Sequence, residues 1–348
     1  MGKNLRLCAL LLCLLGGRLA AQDLALSQFY AAPLLLNPAM TGLFDGKYRV
    51  SCSYRNQWNS PFRRESFKSF TAGLDVRFPL KRRRDYFAGG LVFYSDRVGS
   101  GSFNSTQVAL SLSFHKTLDA KGKHFIGGGF QAGMLQRNVT YDGLTFDDQF
   151  NGIDGYTLGT NEALPTNSLA RGDMAAGLYW QVDLGKQNAF YLGAAAHHLN
   201  SPDVSFTDVE GAPLNRLFIK TSFQMGASLP FGRRNNRHVF LPRIVALWQG
   251  PHLALNAGTN VRLGLTEYDN VALHLGAWAR PVRDAAKGFS LDALVFFAGL
   301  EYKGLNLGLS YDANLTDFSA TGPFRSALEV SVVFIGNYDD DLVACPTF

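Results

Sequence analysis

Beyond Ala21 the sequence has no apolar run of the roughly 20 residues that a membrane-spanning helix requires. Charge is sparse: Asp, Glu, Lys and Arg make up 18% of the chain, against about a quarter in ordinary soluble domains. Only Cys52 and Cys345 lie past the first 21 residues. There is no repeat of fixed period, no heptad run and no low-complexity segment. These absences exclude a helical membrane protein, a solenoid, a coiled coil and a disulfide-dense scaffold. Two cysteines make a poor metal site. They could form one disulfide in an oxidising compartment, or remain as two thiols.

The N-terminus predicts export. Lys3 and Arg6 precede an apolar run over residues 7–15, and Leu19-Ala20-Ala21 has the small residues of a signal-peptidase site. Leucine precedes both Cys8 and Cys13, which argues against a lipid anchor. The expected division is a signal peptide at 1–21, an N-terminal periplasmic or lumen segment at 22–46, a transmembrane β-barrel at 47–336 and a periplasmic tail at 337–348.

The chain is rich in glycine and aromatics, with 36 Gly, 27 Phe and a mean hydropathy of −0.02. A barrel in an outer membrane calls for this mixture, because one face of each strand meets lipid and the other meets water or polar groups. Alternation with period two supports it. Val108, Leu110, Leu112 and Phe114 alternate with Gln107, Ala109, Ser111, Ser113 and His115. Met174, Ala176, Leu178 and Trp180, and again Leu305, Leu307, Leu309 and Tyr311, follow the same rule. The fold class expected is therefore all-β: a single antiparallel outer-membrane barrel with strands at 47–57, 66–78, 86–98, 104–116, 124–137, 169–184, 189–200, 215–230, 238–249, 252–263, 270–281, 288–302, 304–313 and 325–336. The long connections, 138–168, 201–214 and 314–324, all fall on one side of this arrangement, as such barrels require. The basic runs, including Lys81-Arg82-Arg83-Arg84 and Arg233-Arg234, sit between strands and read as solvated turn tips, not as a nucleic-acid face. Residues 22–46, with Pro33 and Pro38, have no strand period and read as an ordered segment at the periplasmic mouth or inside the lumen.

No catalytic, cofactor or metal constellation stands out. His197 and His198 are adjacent, so in a strand they would face opposite sides, one of them on the wet face. Ser and His are scattered, and no Gly-x-Ser-x-Gly elbow occurs. The acidic loop from Asp147 to Asp154 offers oxygens to Ca²⁺ but lacks regular ligand spacing, and reads as a solvated loop. Gly127-x-Gly129 falls inside a strand and is no nucleotide fingerprint.

Both ends of the chain resemble one family. Leu26-Ser27-Gln28-Phe29-Tyr30 with Leu36-Asn37-Pro38-Ala39, then Tyr54-Arg55-Asn56-Gln57-Trp58, are similar to the mature start and first-strand motif of the PorP/SprF proteins of the type IX secretion system. Tyr311-Asp312-Ala313-Asn314-Leu315-Thr316, Ala327-Leu328-Glu329-Val330-Ser331 and the terminal Cys345-Pro346-Thr347-Phe348 are similar to its C-terminal part, though Thr347 stands where arginine is more usual. The resemblance implies an outer-membrane accessory component in Bacteroidetes-type bacteria. Its partners would be periplasmic ring or translocon components, or a secreted cargo such as a gliding adhesin. The expected motif and docking positions are Tyr30, Asn37, Pro38, Arg55, Gln57, Trp58, Tyr311, Asp312, Asn314, Glu329, Cys345 and Pro346. Arg55 on the first strand is expected to pair with Glu329 on the last. The alternatives are a passive diffusion porin and, less favoured, a lipid-modifying enzyme.

Overall fold

The structure, a computed structural model, describes residues 23, 26–57, 66–80, 85–98, 103–141, 144–162, 164–185, 188–206, 215–232, 238–265, 271–284, 288–315 and 326–336. The expectations for the signal peptide, Trp58, the terminal tail and a Cys52–Cys345 disulfide lie outside these residues. Fourteen strands form one closed antiparallel barrel, each paired with its neighbours in sequence. They are β1 Tyr48–Gln57, β2 Phe67–Pro79, β3 Tyr86–Val98, β4 Phe103–Thr117, β5 His124–Val139, β6 Ser168–Gly185 and β7 Asn188–His197. The circuit continues through β8 Lys220–Phe231, β9 His238–Gln249, β10 His252–Gly264, β11 Val271–Asp284, β12 Gly288–Tyr302, β13 Leu305–Asn314 and β14 Ala327–Gly336. β1 pairs with β14 along its whole length, from Tyr48 opposite Gly336 to Gln57 opposite Ala327. Closure leaves no strand edge, the condition for crossing hydrocarbon with strands. Among the described residues no helix is long and apolar enough to cross a membrane.

The alternation sorts side chains as expected. On β4, Val108, Leu110, Leu112 and Phe114 project outward, with Leu110 and Leu112 each 66% exposed, while Gln107, Ser111, Ser113 and His115 are buried inside. Such a continuous apolar exterior is far larger than soluble proteins tolerate and suits contact with lipid. The inward face carries Arg, Asp, Glu, Gln and Ser, most of them buried.

Two strand ends differ from the sequence reading. β8 begins at Lys220 instead of residue 215. Leu217 instead packs with Leu135, Leu169 and Val204 in a rim cluster, so apolar spacing there serves a loop contact and not the wall. β7 ends at His197, and His198 takes φ +58, the left-handed region. The chain turns there, and both histidines are buried on the inner side. The expectation of opposite faces, one wet, is thus corrected.

The interior is filled by the N-terminal segment. It runs from Asp23, beside the ends of β7, β8 and β9, down the lumen to Lys47, whose N–H bonds Gly336. Short turns at Phe29–Ala31, Pro33–Leu36 and Pro38–Met40 fold it compactly. Proline at the start of two of these turns presets φ where no N–H is needed. Phe29 and Leu36 pack on Val245, Trp278 and Val295 of β9, β11 and β12. Leu34 packs on Val92 and Ala109 of β3 and β4. The segment completes apolar clusters to which the wall contributes Val92, Ala109, Val245, Trp278 and Val295 within a largely polar interior.

Candidate functional site: a plugged lumen

The segment is held at three levels. At the end carrying the long connections, Asp23 Oδ2 lies 2.6 Å from His198 Nε2 and 2.9 Å from Lys220 Nζ. His198 Nδ1 lies 2.9 Å from Asp173 Oδ1 on β6. Burial alone would raise the Asp23 carboxyl, but Lys220 and His198 outweigh it and hold it well below the usual carboxylate range. Burial opposes the protonated form of His198, and the hydrogen bonds to Asp173 and Asp23 overcome it, raising its pKa.

At mid-depth the strands that close the barrel supply the clamp. Glu329 on β14 accepts the backbone N–H groups of Ser27 and Gln28 at 2.9 and 3.0 Å. Ser27 Oγ donates to Asp312 Oδ2 on β13 at 2.7 Å. Arg55 on β1 bridges Asp312 at 2.8 Å and Glu329 at 3.1 Å, and Arg280 on β11 reaches Asp312 at 2.9 Å. The Gln28 side chain donates to Ser310 Oγ and the Glu329 carbonyl and accepts from Ser331 Oγ. Charges taken out of water this way must be paired and hydrogen-bonded. Here two arginines meet two carboxylates around one serine.

Lower down, Asn37 is fully buried against the opposite wall. Its Nδ2 donates to the Leu178 and Ala194 carbonyls of β6 and β7, and its Oδ1 accepts from Ala39 N. This approach depends on Gly177 and Gly129. A Cβ on Gly177 would sit 1.9 Å from Asn37 Oδ1, and one on Gly129 would sit 2.3 Å from the Pro38 carbonyl carbon. Thr41 O then accepts from Ser113 Oγ and lies 3.0 Å from His115 Nε2 on β4. Asp75 on β2 accepts from Gly42 N and from Arg49, which also donates to the Met40 and Leu43 carbonyls.

The structure thus brings together Tyr30, Asn37, Pro38, Arg55, Asp312 and Glu329 from the sequence-derived positions. The expected Arg55–Glu329 pair is present. Tyr30 stacks on Trp278 and meets Phe297 edge-on. Gln57 and Asn314 sit at strand ends, and Tyr311 projects outward, 49% exposed, away from the lumen. Cys345 and Pro346 lie outside the described residues. Sequence reasoning passed over Arg280, Arg49, Asp75, Asp173 and Asp23, and gave Ser27 and Gln28 no role. For Arg49, Asp75, Asp173 and Arg280 the one sequence signal was an acid or arginine at an inward-phased strand position, and Asp23, Ser27 and Gln28, outside any strand, had none. In the acidic loop Asp148 accepts from Thr160 and Asn161, and Asn151 Oδ1 accepts from three backbone N–H groups. Among the described residues no group of His, Cys, Asp and Glu is arranged to hold a metal.

The chain is similar to several solved proteins. The monoaromatic hydrocarbon channel CymD superposes with a TM-score of 0.50 at 11% identity, over 93% of this chain and 96% of that one. The Pseudomonas putida toluene transporter TodX gives 0.47 at 12%, over 87% and 92%. The Neisseria meningitidis autotransporter NalP translocator domain gives 0.36 at 12%, over 88% and 96%. At 11% identity the likeness to CymD speaks to fold alone. No curated protein matches the chain. The family profile described as "Type IX secretion system membrane protein PorP/SprF" matches residues 18–334, nearly the whole chain, and the chain belongs to that family.

Proposed function

We propose that this chain is a plugged outer-membrane scaffold of the type IX secretion system, which docks machine components or supports export of particular cargo such as adhesins. The observation that carries the reading is the filled lumen. Residues 26–46 are tied to the wall through buried charges and close-packed glycines, which suits a rigid anchor better than a conduit. Family membership supplies the system in which the anchor works. The exported start of the chain and a gliding role belong to this proposal.

Affinity purification of the protein from its own membranes after mild crosslinking, with mass spectrometry, tests it. Recovery of ring or translocon components, or of one large secreted adhesin, is expected. Recovery of lipopolysaccharide and abundant barrels alone would overturn it and favour the porin reading.

A further inference from the structure

The outer face of β2–β6 changes character toward the end that carries the long connections. Over most of its height it is apolar, as on β4 from Val108 to Phe114. Nearer that end the outward positions turn polar. Lys68, Arg97, Asn104, Asn138 and Ser168 stand in register as one row across five strands. Ser95, Asn104 and Thr106 hydrogen-bond one another at 3.2–3.5 Å. Gln136, Asn138 and Ser168 do the same at 2.7–3.3 Å. Two rows further into the wall, Phe93, Val108 and Met134 are in register, and Phe70 packs on Phe93 with ring centroids 6.0 Å apart.

The row opens on two like charges. Lys68 on β2 is paired across the ladder with Arg97 on β3, and both side chains are exposed. Like charges directly opposite on a sheet repel. Asp75 and Asp96, the only acids in β1–β5, face inward, where they take Arg49 and the Ser69 hydroxyl. Among the described residues Lys68 and Arg97 therefore meet no carboxylate. The depth of the row is also defined. Ten residues separate Thr106 from Lys116, the exposed outward lysine at the other end of β4. At about 3.3 Å per residue and a tilt of about 40° they span about 25 Å, the height of an outer-membrane apolar band. The polar row thus lies at headgroup level, and the long-connection end faces the outer leaflet.

A guanidinium beside an ammonium asks for a phosphate. A ladder of amides and hydroxyls offers donors and acceptors to a sugar. The wall next to it offers apolar surface to acyl chains. We propose that this patch seats a phosphorylated, acylated sugar lipid of the outer leaflet, the lipid A part of lipopolysaccharide. One phosphate sits between Lys68 and Arg97, the sugar lies along Asn104 and Asn138, and acyl chains run down over Phe70, Phe93 and Val108. The proposal rests on the outer-membrane placement of the barrel and not on its secretion role.

The test titrates the full chain in detergent with purified lipid A and reads the bound fraction by native mass spectrometry. Wild type is expected to bind lipid A about tenfold more tightly than its dephosphorylated form, a comparison that needs no variant. Lys68→Gln combined with Arg97→Gln should weaken lipid A by a similar factor and leave the dephosphorylated form unchanged. Lys116→Gln, at the opposite end of the wall, should bind lipid A as wild type does. Phosphatidylglycerol, anionic but without the amino-sugar, should bind more weakly than lipid A. No preference for the phosphorylated form, undiminished binding by the double variant, or an equal loss in Lys116→Gln would overturn the proposal. Phosphatidylglycerol binding as tightly as lipid A would overturn the assignment of the amide and hydroxyl row to a sugar.

Discussion

Arg55 and Glu329 stand directly opposite each other across the seam that closes the barrel, with Nη1 and Oε2 3.1 Å apart. The same carboxylate accepts the N–H groups of Ser27 and Gln28. Barrel closure and plug retention therefore share one group. Glu329→Gln keeps the shape and removes the charge, leaving Arg55 to compete with Arg280 for Asp312. Breaking a buried pair on one side typically costs about 3 kcal/mol or more. The expected result is a barrel that loses its heat-modifiable gel migration at a lower temperature, with residues 26–46 cleaved faster by added protease. Wild-type behaviour in both assays would mean that Glu329 does not clamp the segment.

Gly129 and Gly177 allow the segment to approach the wall, and both face inward, so changing them leaves the lipid-facing surface intact. Gly129→Val should push Pro38 and Ala39 off β5 while the barrel still closes. In planar bilayers the wild type is expected to be silent and the variant to conduct. Steady conductance by the wild type would contradict a plugged lumen and return the protein to the porins.

The barrel was legible in sequence because lipid enforces the alternation. A single-residue slip would turn a row such as Leu110 and Leu112 inward and Ser111 and Ser113 into hydrocarbon. Where the constraint ends, legibility ends. Leu217 keeps an apolar spacing for a rim cluster, and the expected strand start was five residues early, at 215 where β8 begins at Lys220. His198 leaves the strand through a left-handed residue that no local motif announced. The plug was legible only as something other than a strand. The partners of Ser27 and Gln28 stand some 300 positions away, at Asp312 and Glu329. An inward arginine such as Arg280 looks the same in sequence whether it lines a pore or grips a plug. Tyr30, Asn37 and Pro38, read as possible docking surface, are turned to the lumen wall.

The outer-end anchor should depend on pH in both directions. His198, with its raised pKa, contributes stability fully present below its unfolded value of about 6.5 and lost as pH rises through the folded value. Asp23, with its lowered pKa, contributes stability present above about 3.9 and lost as pH falls through its folded value. Asp173, Lys220 and the neighbouring His197 face the same cluster and stay in place. Protection of the Ser27 amide against hydrogen exchange, taken relative to its intrinsic rate at each pH, should be greatest between these limits. His198→Gln should abolish the alkaline limb and leave the acid one. An alkaline limb that survives the substitution would remove His198 from the anchor.

On the proposed function, with residues 26–46 committed to the lumen, docking at the periplasmic end would fall to the turns and to residues 337–348. Asp339-Asp340-Asp341 follows β14 closely and forms a compact acidic run in a chain of net charge +5. Such a run favours a basic partner surface, mainly through steering and orientation. Deleting residues 338–348 removes none of the fourteen described strands, so the barrel should still insert and keep its heat-modifiable migration. Recovery of machine components after crosslinking should fall, and Asp339, Asp340 and Asp341 all changed to Asn should reproduce most of that fall. If the charge change matters and the deletion does not, the tail is no docking site. If neither alters recovery from correctly inserted protein, the partner must hold the barrel by its turns, and Lys121 and Lys123 between β4 and β5 become the residues to change next.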